Sequence, residues 1–251
     1  MYTTIYSNLL TSFLRSTDQK KKTAEAIRHF IIPKLRQRDI FADLGCGSGE
    51  ISESLVPFFQ KSILADLDAS NIRILQNRFA GKEHVSIYHE DLNTFVPPCQ
   101  ASMMLFSFSL GYLGSHLPEH ERLNFRMEIL NGYFSRLHPE GCLVIADTTN
   151  HGAYRYLFEF MNIPVHHEIG TVIEQLTGNH PFRQHEFEVT VRTASIEKMV
   201  QCLRLITYDD GTSNLNLVPR YLEFCQTLPR EADDYIFRYS TVLTVIGHNE
   251  Q

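Results

Sequence analysis

Three carboxylates and one glycine loop hold most of the chemistry that this sequence can offer. Asp43 closes an apolar run and is followed by Gly45-Cys46-Gly47-Ser48-Gly49-Glu50. Glycine lacks Cβ and tolerates positive φ, so such a loop lets a ligand approach the backbone. The helix that starts at Glu50 turns the positive end of its dipole toward an anion such as a carboxylate. Asp43, two residues before the first glycine, is placed to receive an ammonium group. Asp66 lies seventeen residues after Gly49, at the end of a second apolar run. A carboxylate there can accept both hydroxyls of a ribose. Asp91, in His89-Glu90-Asp91-Leu92 at the end of a third run, can take an adenine amino group. Asp66 and Asp91 could instead be plain helix caps. The glycine loop ahead of them favours the ligand reading, and its x-Gly-x-Gly-x-Gly spacing differs from the Gly-x-Gly-x-x-Gly of nicotinamide and flavin domains.

These residues need a scaffold that brings strand ends together. From Asp39 to Asp147 short β-rich runs alternate with helical patterns, the mark of a parallel sheet with crossover helices. The pattern predicts strands at Ile40–Leu44, Ser62–Ala65, Val85–Tyr88, Ala101–Phe106 and Cys142–Ala146, with helices near Glu50–Phe59, Ser70–Phe79 and Glu119–Leu137. Gly141 reads as the turn into the fifth strand. Two helices, Ile5–Leu14 and Gln19–Ile32, precede this core. After it come helices near Tyr154–Met161, Ile196–Ile206 and Leu215–Leu228, a strand near Glu186–Arg192 and a closing strand at Tyr239–Ile246. Three acids at consecutive strand ends then share one edge of the sheet, where open α/β sheets bind ligands.

The segment Asp43 to Glu50, with Asp66 and Asp91, resembles the class I S-adenosylmethionine-dependent methyltransferases over about residues 39–147. The resemblance implies a Rossmann-like α/β fold with a seven-stranded, mostly parallel sheet and helices on both faces. It implies a single domain over 1–251: a helical lid at 1–35, a cofactor-binding core at 36–150, and a substrate-side insertion with closing strands at 151–251. S-adenosylmethionine would be held by Asp43, Gly45, Gly47, Gly49, Asp66, Leu67, Asn71, Asp91, Leu92 and Ser107.

A looser likeness, over most of the chain, is to the histamine N-methyltransferase family. Tyr6, Ser12-Phe13-Leu14 and Ser16-Thr17-Asp18 resemble its substrate-contacting N-terminal segment, and Gly47-Ser48-Gly49-Glu50-Ile51 its Gly-Ala-Gly-Glu-Ile. By that likeness Asp18 pairs with a substrate ammonium, Tyr6 lines the pocket, Asn71 joins Asp66 at the cofactor, and Tyr239 or Ser240 faces the substrate. The departures lie where the imidazole would be read: Phe108 replaces a glutamine, Gly111-Tyr112 a tyrosine pair, and the chain has no Trp. The implied substrate is therefore an amine or similar small molecule rather than histamine in particular. Phe13 belongs to an apolar helical stripe and reads as core, whereas Tyr112 reads as substrate-facing.

Composition narrows the field. The 251 residues carry 23 Lys and Arg against 29 Asp and Glu. That balance disfavours a nucleic-acid partner, and Lys20-Lys21-Lys22 reads as a solvated helix face. Phe106-Ser107-Phe108-Ser109 stands where base methyltransferases carry Asn/Asp-Pro-Pro-Tyr. Five scattered cysteines without a C-x-x-C pair indicate free thiols, and neither a leader nor a membrane span is visible, so a cytoplasmic location is expected. His116-Leu117-Pro118-Glu119-His120 has the wrong order for a zinc helix, and His166-His167 point two ways on a regular element, so no metal is expected. Asp147, in Asp147-Thr148-Thr149-Asn150, is a candidate substrate contact; it also resembles a magnesium ligand of the catechol O-methyltransferases and suits a helix cap. Other readings stay open: O-methylation of a phenol or carboxylate, methylation of a macromolecule, and a non-catalytic module that binds the cofactor. No feature fixes an oligomeric state.

Overall fold

The computed structural model describes residues 4–165, 168–207 and 217–247, with the side chains of 4–8, 11 and 168 excepted. The expected Tyr6 contact and the His166-His167 pair lie outside those described side chains, as does the first turn expected at Leu215. In chain order the elements are α1 Thr4–Ser16, α2 Gln19–Ala26, β1 Ile40–Leu44, α3 Glu50–Leu55, β2 Lys61–Asp66, α4 Ala69–Arg78, β3 Val85–His89, β4 Ala101–Ser107 and α5 Glu119–Phe134. There follow β5 Leu137–Thr148, α6 Gly152–Met161, α7 Glu168–Asn179, β6 Phe182–Thr193, α8 Ile196–Ile206, α9 Val218–Thr227, β7 Arg230–Glu231 and β8 Asp234–Gly247.

Strands β1, β2 and β4 are buried almost end to end. That burial explains their unbroken apolar runs, because a parallel strand is covered on both faces. The sheet order is β3-β2-β1-β4-β5-β8-β6, and β1 to β5 pair in parallel. Gly247 N donates to Pro181 O, and Gln184 reaches Thr244, so β6 and β8 run in opposite directions. The eighth strand, β7, is a two-residue hairpin arm on β8, too short to show as a strand in the sequence. The chain divides into two compact units: one of residues 1–22, 148–165 and 187–241, the other of 23–147, 166–186 and 242–251. The junctions fall at 22/23, 147/148, 165/166, 186/187 and 241/242, against the expected 35 and 150, and 166–186 and 242–251 belong to the sheet-containing unit.

In that unit the core gathers Leu44, Ala65, Met104, Phe106 and Ile145 of the sheet with Leu130 and Phe134 of α5 and Val172, Ile173 and Leu176 of α7. Helix α7 is absent from the sequence pattern. Its two glycines and β-branched residues lower helix propensity, and burial of the Val172, Ile173 and Leu176 face supplies the stability instead. Three boundaries also differ from expectation. Pro57 turns the end of α3 into a 3-10 segment, Val56–Phe58. Pro33 removes the next helical donor, and the chain leaves α2 through a π-turn at Ile27–Ile31 and a 3-10 turn at Ile32–Lys34. Gly141 lies within β5, not at a turn, where the register against β4 shifts; a Cβ there would stand 2.8 Å from Ala101 O.

The other unit packs α1, α6, α8 and α9 with parts of β6 and β8 around Leu157, Phe158, Met161, Leu203, Tyr221 and Phe224. Burial pushes the Cys202 thiol up to about 11 and that of Cys225 up to about 12, so both are inert hydrophobes. No helix among the described residues is long and apolar enough to cross a membrane.

Candidate functional site

The strand order reverses between β1 and β4, and the carboxyl ends of those strands carry the glycine loop and Ser107. Such a reversal opens a crevice that helices cannot cover. Gly45, Gly47 and Gly49 all take positive φ, but for different reasons. A Cβ on Gly45 would lie 2.5 Å from Ser109 Cβ, so this glycine makes room for the loop after β4. A Cβ on Gly47 would meet nothing within 4 Å. Gly47 thus faces open space, and with Gly45 and Gly49 it forms the loop, or cradle, between β1 and α3.

Each expected carboxylate is set in place by neighbours. Asp43 is 1% exposed, and Ser52 of α3 donates to its Oδ2 at 2.5 Å. Asp66 accepts Gly47 N at 2.7 Å on Oδ2, and Asp68 N at 2.9 Å and Asn71 Nδ2 at 3.1 Å on Oδ1. One carboxylate therefore joins the glycine loop to the start of α4. Asp68 caps that helix by accepting Ser70 N at 2.7 Å. The Ser70 hydroxyl and then its amide hold the Asp68 carboxyl below the usual range. Leu67, between them, is 62% exposed, an apolar side chain left in solvent beside Asp66. His89 bonds Leu67 O at 2.9 Å, which ties the end of β3 to that of β2.

Asp91 lies just past β3, and its Oδ1 accepts Asn93 N at 2.9 Å and Asn93 Nδ2 at 2.7 Å. Leu92 is buried, and its carbonyl accepts the Tyr133 hydroxyl at 3.0 Å. Burial, then the charge of Asp91, raises the Tyr133 phenol above its ordinary range. At the end of β4 the Ser107 Oγ is buried and has no hydrogen-bond partner among the described residues. A buried hydroxyl left this way asks for a ligand or a water. Phe108 follows at φ 56, a left-handed conformation that costs a non-glycine residue about 1–2 kcal/mol. Ser109 then turns back to donate to Leu44 O at 2.6 Å. Tyr112 ends the 3-10 turn Leu110–Tyr112 and is 44% exposed. Asp147 is the penultimate residue of β5.

Asp43, Asp66, Leu67, Asn71, Asp91, Leu92, Ser107, Phe108, Tyr112 and Asp147 thus belong to the sheet-containing unit, with the three glycines. Asp18 and Tyr239 belong to the other. Asp18 Oδ1 accepts Thr190 N at 2.7 Å, and Oδ2 pairs with Lys22 Nζ at 3.2 Å. Asp18 N also donates to Thr190 O, so this residue closes the edge of β6. Lys22 reaches Glu188 O at 2.8 Å as well, in place of the solvated role expected of it. Tyr239 is 4% exposed; it stacks on Phe237, and its hydroxyl accepts Gln19 Nε2 at 3.0 Å. Burial raises its phenol first of all. Tyr239 packs in the core of its unit, a placement in keeping with its position in a mostly apolar closing strand. Ser52, Asn93 and Ser109 carry no mark in the sequence, because a lone serine or asparagine past a strand gives no signal of its target.

No protein-family model matches the chain. A curated protein of Archaeoglobus fulgidus, named "Probable cobalt-precorrin-6B C(15)-methyltransferase (decarboxylating)", is 32% identical over 85 residues, 29% of this chain and 51% of that protein. The match spans about half the length of that relative. Among solved structures, the N-methyltransferase NodS of Bradyrhizobium japonicum, in complex with S-adenosyl-L-homocysteine, aligns at a TM-score of 0.55 and 14% identity, over 99% of this chain and 100% of that one. The YcgJ protein of Bacillus subtilis aligns at 0.56 and 11%, over 91% and 100%. The fold is that of the class I methyltransferases. At these identities the likeness is one of fold alone, and it accounts for the sheet order and for the loop position after β1.

Proposed function

We propose that the chain is an S-adenosylmethionine-dependent methyltransferase acting on a small molecule, with an amine as the acceptor. The observation that carries this reading is that Asp43, Asp66 and Asp91 lie at or just past the carboxyl ends of the neighbouring strands β1, β2 and β3, with Asp66 bonded to Gly47 N. Asp43 would receive the ammonium end of the cofactor, Asp66 its ribose hydroxyls and Asp91 its adenine amino group. Leu67 and Leu92 would flank the ring, Asn71 would support Asp66, and Ser107 would satisfy its hydroxyl at the rim.

When bound, the sulfonium supplies an activated methyl group. The chain must then aim an acceptor lone pair along the line from methyl carbon to sulfur, and keep water out. Orientation of this kind is worth up to about 7–11 kcal/mol. Phe108 and Tyr112, in the loop after β4, are the residues proposed to place the acceptor; an aromatic face also attracts a cation, here the sulfonium, by about 0.5–2 kcal/mol. Asp147 is a further candidate there. The acceptor nitrogen has to reach the site unprotonated, and its remaining proton leaves to water after transfer. The structural neighbour named an N-methyltransferase is in keeping with a nitrogen acceptor.

One observation favours a second reading. Lys22 already fills the place at Asp18 that a substrate ammonium would take. A phenol or carboxylate acceptor, methylated on oxygen, needs no such acid, and Asp18 and Tyr239 would then be parts of the scaffold. Methyl transfer to histamine, a pool of other amines and a pool of phenols and carboxylates, followed by product mass, separates the two. A methylated amine whose formation collapses in Asp18→Ala supports the first reading; methylation of phenols alone, unchanged in that variant, supports the second. A melting temperature that does not rise with saturating S-adenosylmethionine overturns both.

A further inference from the structure

The loop after β4 is fastened at both ends to the cradle. At its start the Ser109 hydroxyl holds Leu44 O, and the Ser109 Cβ fills the space that a Gly45 side chain would need. At its far end Gly114 N donates to Asn93 Oδ1 at 2.9 Å. The same Asn93 side chain gives its Nδ2 to Asp91 Oδ1 at 2.7 Å. Between these ends, Arg126 of α5 is 2% exposed and bonds Gly111 O at 3.1 Å and Leu113 O at 2.9 Å. Ordinary loops leave such carbonyls to water. Here the 3-10 turn that presents Tyr112 is shaped by a buried guanidinium on one side and by Asn93 on the other.

We infer that Asn93 is a positioning residue that couples the adenine-side acid, Asp91, to the acceptor loop 109–114. This rests on the proposed function, because it assigns Asp91 to the cofactor and Tyr112 to the acceptor. An amide suits this role, since it donates to a carboxylate and accepts from a backbone N–H with the same planar group. A ligand that bonds Asp91 fixes that carboxylate, which fixes Asn93, which holds Gly114. Cofactor occupancy therefore orders the loop before the acceptor arrives. Asp in place of Asn93 keeps the acceptor for Gly114 N but loses the donor and sets a like charge against Asp91.

The test uses the full chain and S-adenosylhomocysteine, with calorimetric affinity and hydrogen exchange of loop 109–114 read together. In the wild type the ligand is expected to slow exchange across the loop, Gly114 above all. In Asn93→Ala, affinity should fall about threefold to tenfold, the loss of one or two modest hydrogen bonds. At saturating ligand the glycine loop 45–49 should still be protected, and the 109–114 protection should be gone. Asn93→Asp should keep the Gly114 protection of the free protein, lose the increase that the ligand brings, and bind the ligand more weakly still. Equal loop protection in the wild type and Asn93→Ala, or no ligand effect on the loop in a wild type that binds, overturns the coupling and leaves the proposed function standing. A wild type that does not bind at all overturns both. Because Asn93 is half-buried and outside the core, a folding defect in the variant is read directly from exchange in β1 and β4.

Discussion

The two units of this protein are built by different means. In the sheet-containing unit, the segment from β1 to the loop after β4 is set by named polar contacts: Asp66 on Gly47, Ser52 on Asp43, Ser109 on Leu44, Asn93 between Asp91 and Gly114. The helical core of the other unit rests on packing, with its polar contacts at the edge of β6 and on Tyr239. Phe158, Tyr221, Phe224 and Phe237 are fully or almost fully buried there, and rings follow one another from Tyr156 through Phe224 and Phe237 to Tyr239. Directional bonds fix atoms to a few tenths of an ångström and suit a binding cradle. Packed rings tolerate exchange of one apolar shape for another and suit a scaffold.

The contrast can be broken most severely in the packed unit. Phe158→Ala removes a fully buried ring, and we expect a loss of about 3–5 kcal/mol in denaturant unfolding. Phe158→Leu should recover more than half of it; a recovery of nothing would mean that shape matters there as closely as in the cradle. The cradle itself offers a sharper pair. Gly45→Ala meets both the left-handed φ and the Ser109 Cβ, and should cost about 2–5 kcal/mol, summing strain and overpacking. Gly47→Ala carries only the φ cost, about 1–2 kcal/mol. Equal losses at the two positions would show that the Ser109 contact relaxes away.

The smallest effect concerns Asp68. Its folded-state carboxyl lies below the ordinary range because Ser70 hydrogen-bonds the charged form. The cap therefore stabilises α4 fully above the unfolded carboxylate range, near pH 4 and upward, and is lost as pH falls through the lower folded value. Asp68→Ala should cost about 1 kcal/mol at neutral pH. Parallel unfolding curves from pH 7 to pH 2 should show that difference shrink toward the acid end, and a constant difference would assign it to something other than charge.

The cradle was legible in the sequence because its chemistry is local. The glycines, Asp43, Asp66 and the start of α3 lie where backbone geometry alone puts them, and β1 matches its expected bounds residue for residue. Helix α8 was equally plain, its apolar face returning every three or four residues. What stayed hidden depends on partners far along the chain. Asp18 finds Thr190, Gln19 finds Tyr239, and Leu137, expected to end α5, instead begins β5 opposite Ala101. Gly141 reads as a turn after Pro139, and only the pairing with β4 shows it to be a bulge. Asp18 and Tyr239, proposed on resemblance for the substrate, lie on such long-range contacts, whereas the residues proposed for the cofactor rest on spacing.

The way the two units alternate along the chain has a consequence for synthesis on the ribosome. The parallel block β1 to β5 is complete once residue 148 has emerged, yet the place beside β5 belongs to β8, the last of the described strands in chain order. A nascent chain therefore exposes a finished strand edge while residues 149–233 are translated, at about 5–20 residues per second. No single cut releases either unit whole, since each is assembled from three stretches of the chain. Expression of this protein in fragments, or its use as a donor of a detachable module, would meet that order of assembly first.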